Sequence, residues 1–365
     1  MTTAIEAGPS RFGHVSENRA ARGTWRRLAR VAWLQHRAGC FGFLAVFTAF
    51  AIATLFELHR ASGSYATFVS AGCAGHQLTL GACNADALAL SGGVDLQTIG
   101  TALSALPILV GVFLGAPLVA REVESGTSRF AWTQGTSRSR LVFTAMAMLG
   151  IAVAIMAVVL GLLFGGWYAH IYDVVLYAVY TNWQATLFAT TWWMLAVWVL
   201  MALALGTLIG TLVRRTVAAM GTTAGALVVL VEGAKLLLPQ LLHMGPHVTR
   251  LAGPVGTMAI GAINNTVQVG WDFPVGSWVV RSWLTGPHGH VLGVTAVQHV
   301  AAALSSRTSR VGDRWLAVHH DIFWVAYQPP SHFWMLQGAE GLVVLAIAAL
   351  SVVATVRVLD RRAGA

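Results

Sequence analysis

Six stretches of the chain run for about 20 residues or more without a charge in their middle, and this limits the possible folds more than any other feature. They lie near residues 39–58, 99–120, 141–166, 186–213, 217–240 and 333–356. A bilayer's hydrocarbon core, about 30 Å thick, takes roughly 20 apolar residues of α-helix to cross. Lipid offers no partner to a backbone N–H or C=O, so each run must satisfy its own as a helix. The expected fold is an all-α integral membrane protein with six transmembrane helices. Charge supports it: only 10% of the 365 residues are Asp, Glu, Lys or Arg, whereas a soluble domain carries roughly 25%. The charged residues cannot clothe a globular surface, so lipid must cover the rest.

The charges that remain are mostly arginine. Lys+Arg total 23 and the formal net charge is +9, with Lys235 the single lysine. In a soluble chain this excess would suggest nucleic acid; in a membrane chain it orients the spans, because basic residues stay on the cytoplasmic side of short loops. With the N-terminus inside, sixteen arginines fall on inner segments, against six on much longer outer ones (Arg60, Arg250, Arg281, Arg307, Arg310 and Arg314). The expected topology is N-in and C-in, with no nucleic-acid partner. A Walker A loop needs a Gly-Lys pair to hold phosphates, and Lys235 follows Ala234. The chain is therefore not itself a P-loop ATPase.

This divides the chain into a basic cytoplasmic lead (1–38), five spans with an inner loop at 121–140 (39–240), an external segment (241–332), and the last span with a short cytoplasmic tail (333–365). The lead has no hydrophobic core of its own, and the first apolar run is longer than a signal-peptide core, so it reads as a retained span. Residues 24–37 fit an amphipathic helix in the inner headgroup layer. Trp25 shares its apolar face with Leu28, Ala29, Val31 and Ala32, opposite Arg26, Arg27, Arg30 and Arg37, with Trp33 and Leu34 as misfits. The segment 241–332 has apolar stretches too short to cross and broken by Gly, Pro, His and Arg, which predicts an external cap of short helices. Trp167, Tyr168, Tyr172, Tyr177, Tyr180 and Trp183 fit an outer aromatic belt.

Cys73 and Cys83 share the first outer loop, where an oxidising compartment permits a disulfide; two unpaired thiols are the alternative. Most of the 13 histidines lie at or beyond the outer face, but none has a carboxylate-supported ligand frame apart from His320 beside Asp321, so no metal is expected. Charges inside spans are costly and point to function. Glu232 and Lys235, three apart, lie on one helix face and can pair. Glu340 stands alone in the last span, where it can line a pathway or hydrogen-bond a neighbouring helix.

The loop between the second and third spans reads Arg121-Glu122-Val123-Glu124-Ser125-Gly126-Thr127, then Ser128 to Gln134, and ends Ser137-Arg138-Ser139-Arg140. It resembles the hallmark of type-two ATP-binding-cassette exporter permeases: an acidic pair, Gly-Thr, a short amphipathic helix and Ser-Arg entering the third span. Trp33-Leu34-Gln35-His36-Arg37, the Arg214-Arg215 hinge, and Tyr327-Gln328-Pro329 with Phe333-Trp334 and Gln337 to Glu340 are similar to a branch common in high-GC bacteria. The chain departs from that branch in lacking a lysine after the Ser-Arg turn and in having His332 where arginine is usual.

The resemblance implies a permease in a bacterial plasma membrane that pairs with a second permease copy and with cytoplasmic ATPase subunits carrying ATP and Mg. This chain itself would hold no cofactor and catalyse nothing. The implied coupling residues are Glu122, Glu124, Gly126, Thr127 and Arg138, with the interfacial helix docking beside them. The cargo would be an amphiphile: a drug, a lipid or a peptide. Two rival readings are a sensory or immunity protein binding an external ligand, and a membrane enzyme using outer-face residues such as His319, His320 and Asp321.

Overall fold

The structure is a computed structural model that describes residues 39–57, 96–125, 138–175, 185–190, 193–242, 247–250, 260–263, 266–269, 278–286, 288–293, 322–329 and 331–361, with isolated positions at 34, 37, 59, 60, 62, 63, 66, 67, 70 and 318. Six helices within them are long and apolar enough to cross a membrane: Gly39–Glu57, Thr98–Glu124, Ser139–Gly166, Met194–Val213, Thr216–Leu237 and His332–Arg361. These are the six spans read from the sequence, and the membrane portion is all-α.

The fourth span, Met194–Val213, is the hub. It packs against the second, third, fifth and sixth spans and buries Met194, Leu195, Val199, Met201, Ala202 and Leu203 to 2% exposure or less. Helices in lipid gain no hydrophobic energy by associating, so close van der Waals packing must hold them. Small residues provide it here. Gly206 lies so close to the Gly111 carbonyl of the second span, and Gly210 to that of Ala116, that a Cβ on either would overlap backbone. In the other direction, a Cβ on Gly115 would lie 2.7 Å from the Leu203 carbonyl oxygen.

The second span is not one regular helix. It breaks at Ala105, resumes over Leu106–Val110, passes through a π-helical turn at Gly111–Gly115 and continues as Ala116–Glu124. Pro107 and Pro117 sit in the first turn of the two regular pieces, as expected of a residue with no N–H to give to the preceding turn. The π turn, a wider winding, coincides with the closest approach to the fourth span.

The other spans pack with one face only. In the sixth, Phe333, Gln337, Gly341, Val344, Ala348, Ser351 and Thr355 are buried at intervals of three or four, one stripe of a helix. Leu342, Val343 and Leu350 point outward, as do Ile52 and Phe56 of the first span and Val217 and Val229 of the fifth. The buried hydroxyls of Thr207, Ser351 and Thr355 bond the carbonyl four residues back on their own helix, which satisfies them without water.

Two boundaries differ from the sequence reading. The run at 186–213 is divided into a short helix, Ala185–Thr190, and the fourth span proper, which begins at Met194. The third helix runs over Arg138–Val175, through Trp167, Tyr168 and Tyr172 of the expected belt; Tyr177, Tyr180 and Trp183 lie outside the described residues.

The segment 241–332 corrects the expected external cap of short helices. Beyond Leu242 its described residues, apart from the helical Val318, include five strands: β1 (His247–Arg250), β2 (Ile260–Ile263), β3 (Thr266–Val269), β4 (Trp278–Thr285) and β5 (Ile322–Gln328). They form an antiparallel three-stranded sheet ordered β1-β5-β4 and an antiparallel pair, β2-β3. β4 and β5 read Trp-Val-Val-Arg-Ser-Trp-Leu-Thr and Ile-Phe-Trp-Val-Ala-Tyr-Gln, rich in the aromatic and β-branched residues that fit a pleated surface. Trp283 and Trp324 pair across them with rings stacked 6.4 Å apart. β5 leads directly to the sixth span, where His332 Nδ1 lies 2.8 Å from Gln328 Oε1.

If backbone contact holds the second and fourth spans together, Gly206→Ala or Gly210→Ala lowers stability by about 1–3 kcal/mol, the usual cost of overpacking. Gly221→Ala, which adds a methyl where nothing lies within 4 Å, leaves it unchanged or slightly raised. Thermal unfolding in mild detergent measures both.

Candidate functional site

Two polar clusters stand out among the described residues. The first gathers at the arginine-rich ends of the second, fourth and fifth spans. The fourth span ends at Arg214, whose left-handed backbone (φ 62°) places its N–H on the Gly210 carbonyl at 3.2 Å. Arg215 follows, and its carbonyl accepts the Ala219 N–H at 2.8 Å, so the fifth helix begins at Thr216. The Thr216 N–H, an orphan of that first turn, donates to Glu124 Oε2 at 2.8 Å. Glu124 thus caps a helix 92 residues further along the chain, where a carboxylate also meets the positive end of the helix dipole. Glu122, two residues earlier, is half-buried.

Beneath this cap, Ala116 and Ala120 of the second span and Ala219 of the fifth are fully buried against one another, with Val213 and Met220 packed beside them. The second and fifth helix ends are therefore joined through alanines, which have no side-chain rotamers, and Val213 of the fourth packs beside them.

The second cluster lies within the bundle, toward the opposite ends of the spans. Glu340 of the sixth span accepts the Trp198 indole N–H on Oε1 at 3.2 Å. Its Oε2 is buried without a partner among the described residues, as is Oε1 of Gln337 one turn earlier. The Gln337 amide donates to the Phe188 carbonyl at 3.0 Å, which ties the short helix Ala185–Thr190 to the sixth span. Glu340 and Lys235 line one small internal cavity, together with Ser104, Thr190 and Trp198. Lys235 Nζ lies 2.8 Å from Glu232 Oε1, with Glu232 the more exposed of the two. The three intramembrane charges singled out in the sequence are thus neighbours: one ion pair, and a carboxylate that shares a cavity with its lysine.

A family model for ABC-2 membrane transporter related proteins matches residues 41–238, more than half of the chain. The chain belongs to that family. Permeases of the family are membrane-spanning transport subunits that work with ATP-binding-cassette subunits. No curated protein and no solved structure matches the chain.

The matched region begins in the first span, ends in the fifth, and contains the whole Glu124 cluster. Of the residues read from the sequence for partner coupling, Glu122 and Glu124 close the second span and Arg138 opens the third helix, whereas Gly126 and Thr127 lie outside the described residues. Trp25, Arg26, Arg27, Arg30, Trp33, Cys73 and Cys83 also lie outside them, and Arg37 is helical and exposed. So do His319, His320 and Asp321. Sequence reasoning missed the glycines that seat the hub. Their signal was present, since Gly111-Val-Phe-Leu-Gly115 and Gly206-Thr-Leu-Ile-Gly210 both have the Gly-x-x-x-Gly spacing of close helix contacts.

The Trp198–Glu340 bond crosses between two spans inside the bundle. Trp198→Phe removes the donor that Glu340 Oε1 accepts and lowers stability by about 1–3 kcal/mol, the penalty for a buried polar group left unmade. Combining it with Glu340→Leu recovers most of that loss, because neither partner then remains. Thermal melts of the two variants in detergent decide the matter.

Proposed function

We propose that this chain is the membrane-spanning permease of an ATP-driven exporter in a bacterial plasma membrane, moving an amphiphilic drug, lipid or peptide. The observation that carries the reading is the family match over the first five spans, joined to an arginine-rich loop at the end of the second. In this reading the chain sits N-in and C-in, and ATP with Mg is held and hydrolysed by separate cytoplasmic subunits. The branch common in high-GC bacteria is the family's likeness carried by Trp33 to Arg37, Arg214-Arg215 and Tyr327 to Pro329.

The segment 121–140 docks on the ATPase subunits, with Glu122, Glu124, Gly126, Thr127 and Arg138 as the coupling residues. The interfacial helix of residues 24–37 lies beside it on the inner leaflet. Six spans close around little more than their own side chains, and most of the hub span is buried. The pathway for a sizeable cargo therefore runs between two permease copies, a symmetric arrangement of the kind most oligomers adopt. Differential affinity of the inward- and outward-facing forms for the nucleotide-loaded partner drives the exchange.

The test is a mild-detergent pull-down of the tagged chain from its native membrane, followed by mass spectrometry and an ATPase assay. A P-loop subunit copurifies with the wild type, and Glu122→Arg lowers its yield about tenfold, a loss of roughly 1.4 kcal/mol of docking energy. Copurification of no nucleotide-binding protein with a monodisperse chain sinks the exporter reading in favour of an external receptor or a membrane enzyme. A cysteine placed at Ser125 in a cysteine-free background stays unlabelled by an impermeant reagent on intact cells. Labelling from outside reverses the topology.

A further inference from the structure

We propose that Glu124 is a positioning residue that transmits movement of the docking segment to the fifth span, through its bond to the Thr216 N–H. The inference rests on the exporter reading and deepens it.

Three features of the structure place the link. Glu124 is the last residue of the second span and lies within the segment 121–140 assigned to docking, most of which follows it. Its carboxylate reaches across to the first helical residue of the fifth span, at 2.8 Å. Only Arg214 and Arg215 separate the fourth span from the fifth, and the left-handed Arg214 backbone makes that connection a tight corner. The end of the second span is thus bonded to the start of the fifth at the point where the fifth turns back from the hub.

The packing below the bond makes it a lever and not a loose contact. Ala116, Ala120 and Ala219 are fully buried against one another, and Gly210 admits no Cβ against the Ala116 carbonyl. The alanines have no side-chain rotamer with which to absorb a displacement at their own contact, and Val213 and Met220 pack beside it. The Glu124 bond itself is solvent-exposed, so water competes for both partners and the bond can open and reclose. A pull on the segment after Glu124 therefore either carries the fifth helix with it, while the cap holds, or releases it when the cap opens.

Thr216→Pro tests this without altering the docking segment. Proline is tolerated at the first helical position and removes only the N–H that Glu124 accepts; Thr216→Ala keeps that N–H and serves as the control. Spin labels on Ile155 of the third span and Val229 of the fifth, both outward-facing, report the distance between those helices. It is measured in the copurified complex before and after trapping with ATP and vanadate. The wild type and Thr216→Ala shift on trapping, whereas Thr216→Pro still captures and supports a working ATPase but loses the shift.

If Thr216→Pro shifts as the wild type does, or if the wild type itself shows no shift, the proposal is overturned while the exporter reading stands. If no ATPase copurifies with the wild type, the exporter reading fails and the lever falls with it. Should Thr216→Pro not yield a monodisperse chain, Glu124→Asp decides: it keeps the charge but is one methylene too short to reach Thr216, and it must likewise lose the shift.

Discussion

The arrangement depends on how closely the backbones of the second and fourth spans approach. In water a bundle of this kind would be driven together by burial of its apolar faces, but in lipid the surroundings are as apolar as the helices. What remains is contact, and contact is best where two backbones touch without side chains between them. Gly111 and Gly115 on one helix and Gly206 and Gly210 on the other provide that seam. The hub's other neighbours then pack around a pair whose spacing is already fixed. The irregular winding of the second span follows from the same place, since its two prolines bracket the glycine pair.

The spans differ in how they are tied to this centre. The second, fourth and fifth are joined at one end by glycine and alanine, through the Gly210–Ala116 approach and the three buried alanines, with Glu124 closing the group. The sixth span is tied near its first turns by side-chain bonds, Gln337 to the Phe188 carbonyl and Glu340 to Trp198, and by the edge-on packing of Phe333 against Phe188. Backbone contacts cannot slide without overlap, so they move as a body or not at all. Side-chain bonds can exchange partners, and Gln337 Oε1 and Glu340 Oε2 have none among the described residues.

Much of the fold was legible because lipid imposes a length and a composition on every span. The ends of all six were set within a few residues by where charge begins, except near residue 190, where no charge marks the break between the short helix and the hub. The cap was read as helical because its apolar stretches were judged by length and by the breakers around them; the aromatic and β-branched runs at 278–285 and 322–328 carried the strand signal. Local pairs were legible, as with Glu232 and Lys235 on one helix face. Distant pairs were not. Nothing in the neighbourhood of Glu340 names Trp198, 142 residues away, and nothing after Glu124 names Thr216. A Gly-x-x-x-Gly spacing likewise tells which face of a helix packs closely without telling against what.

The position of Glu124 also bears on why a carboxylate, and not an amide or hydroxyl, ends the second span. A helix start offers unpaired N–H groups and a positive dipole end, and both favour an anion over a neutral acceptor. The flanking Arg214 and Arg215 add positive charge to the same corner. Those same groups would repel a basic residue, so the corner selects the sign of what may lie against it. An acidic residue at 124 is therefore demanded twice, by the helix it caps and by the arginines beside it, whether or not a partner chain is docked. The geometry at this corner would persist in the free permease, and docking would act on a link already made.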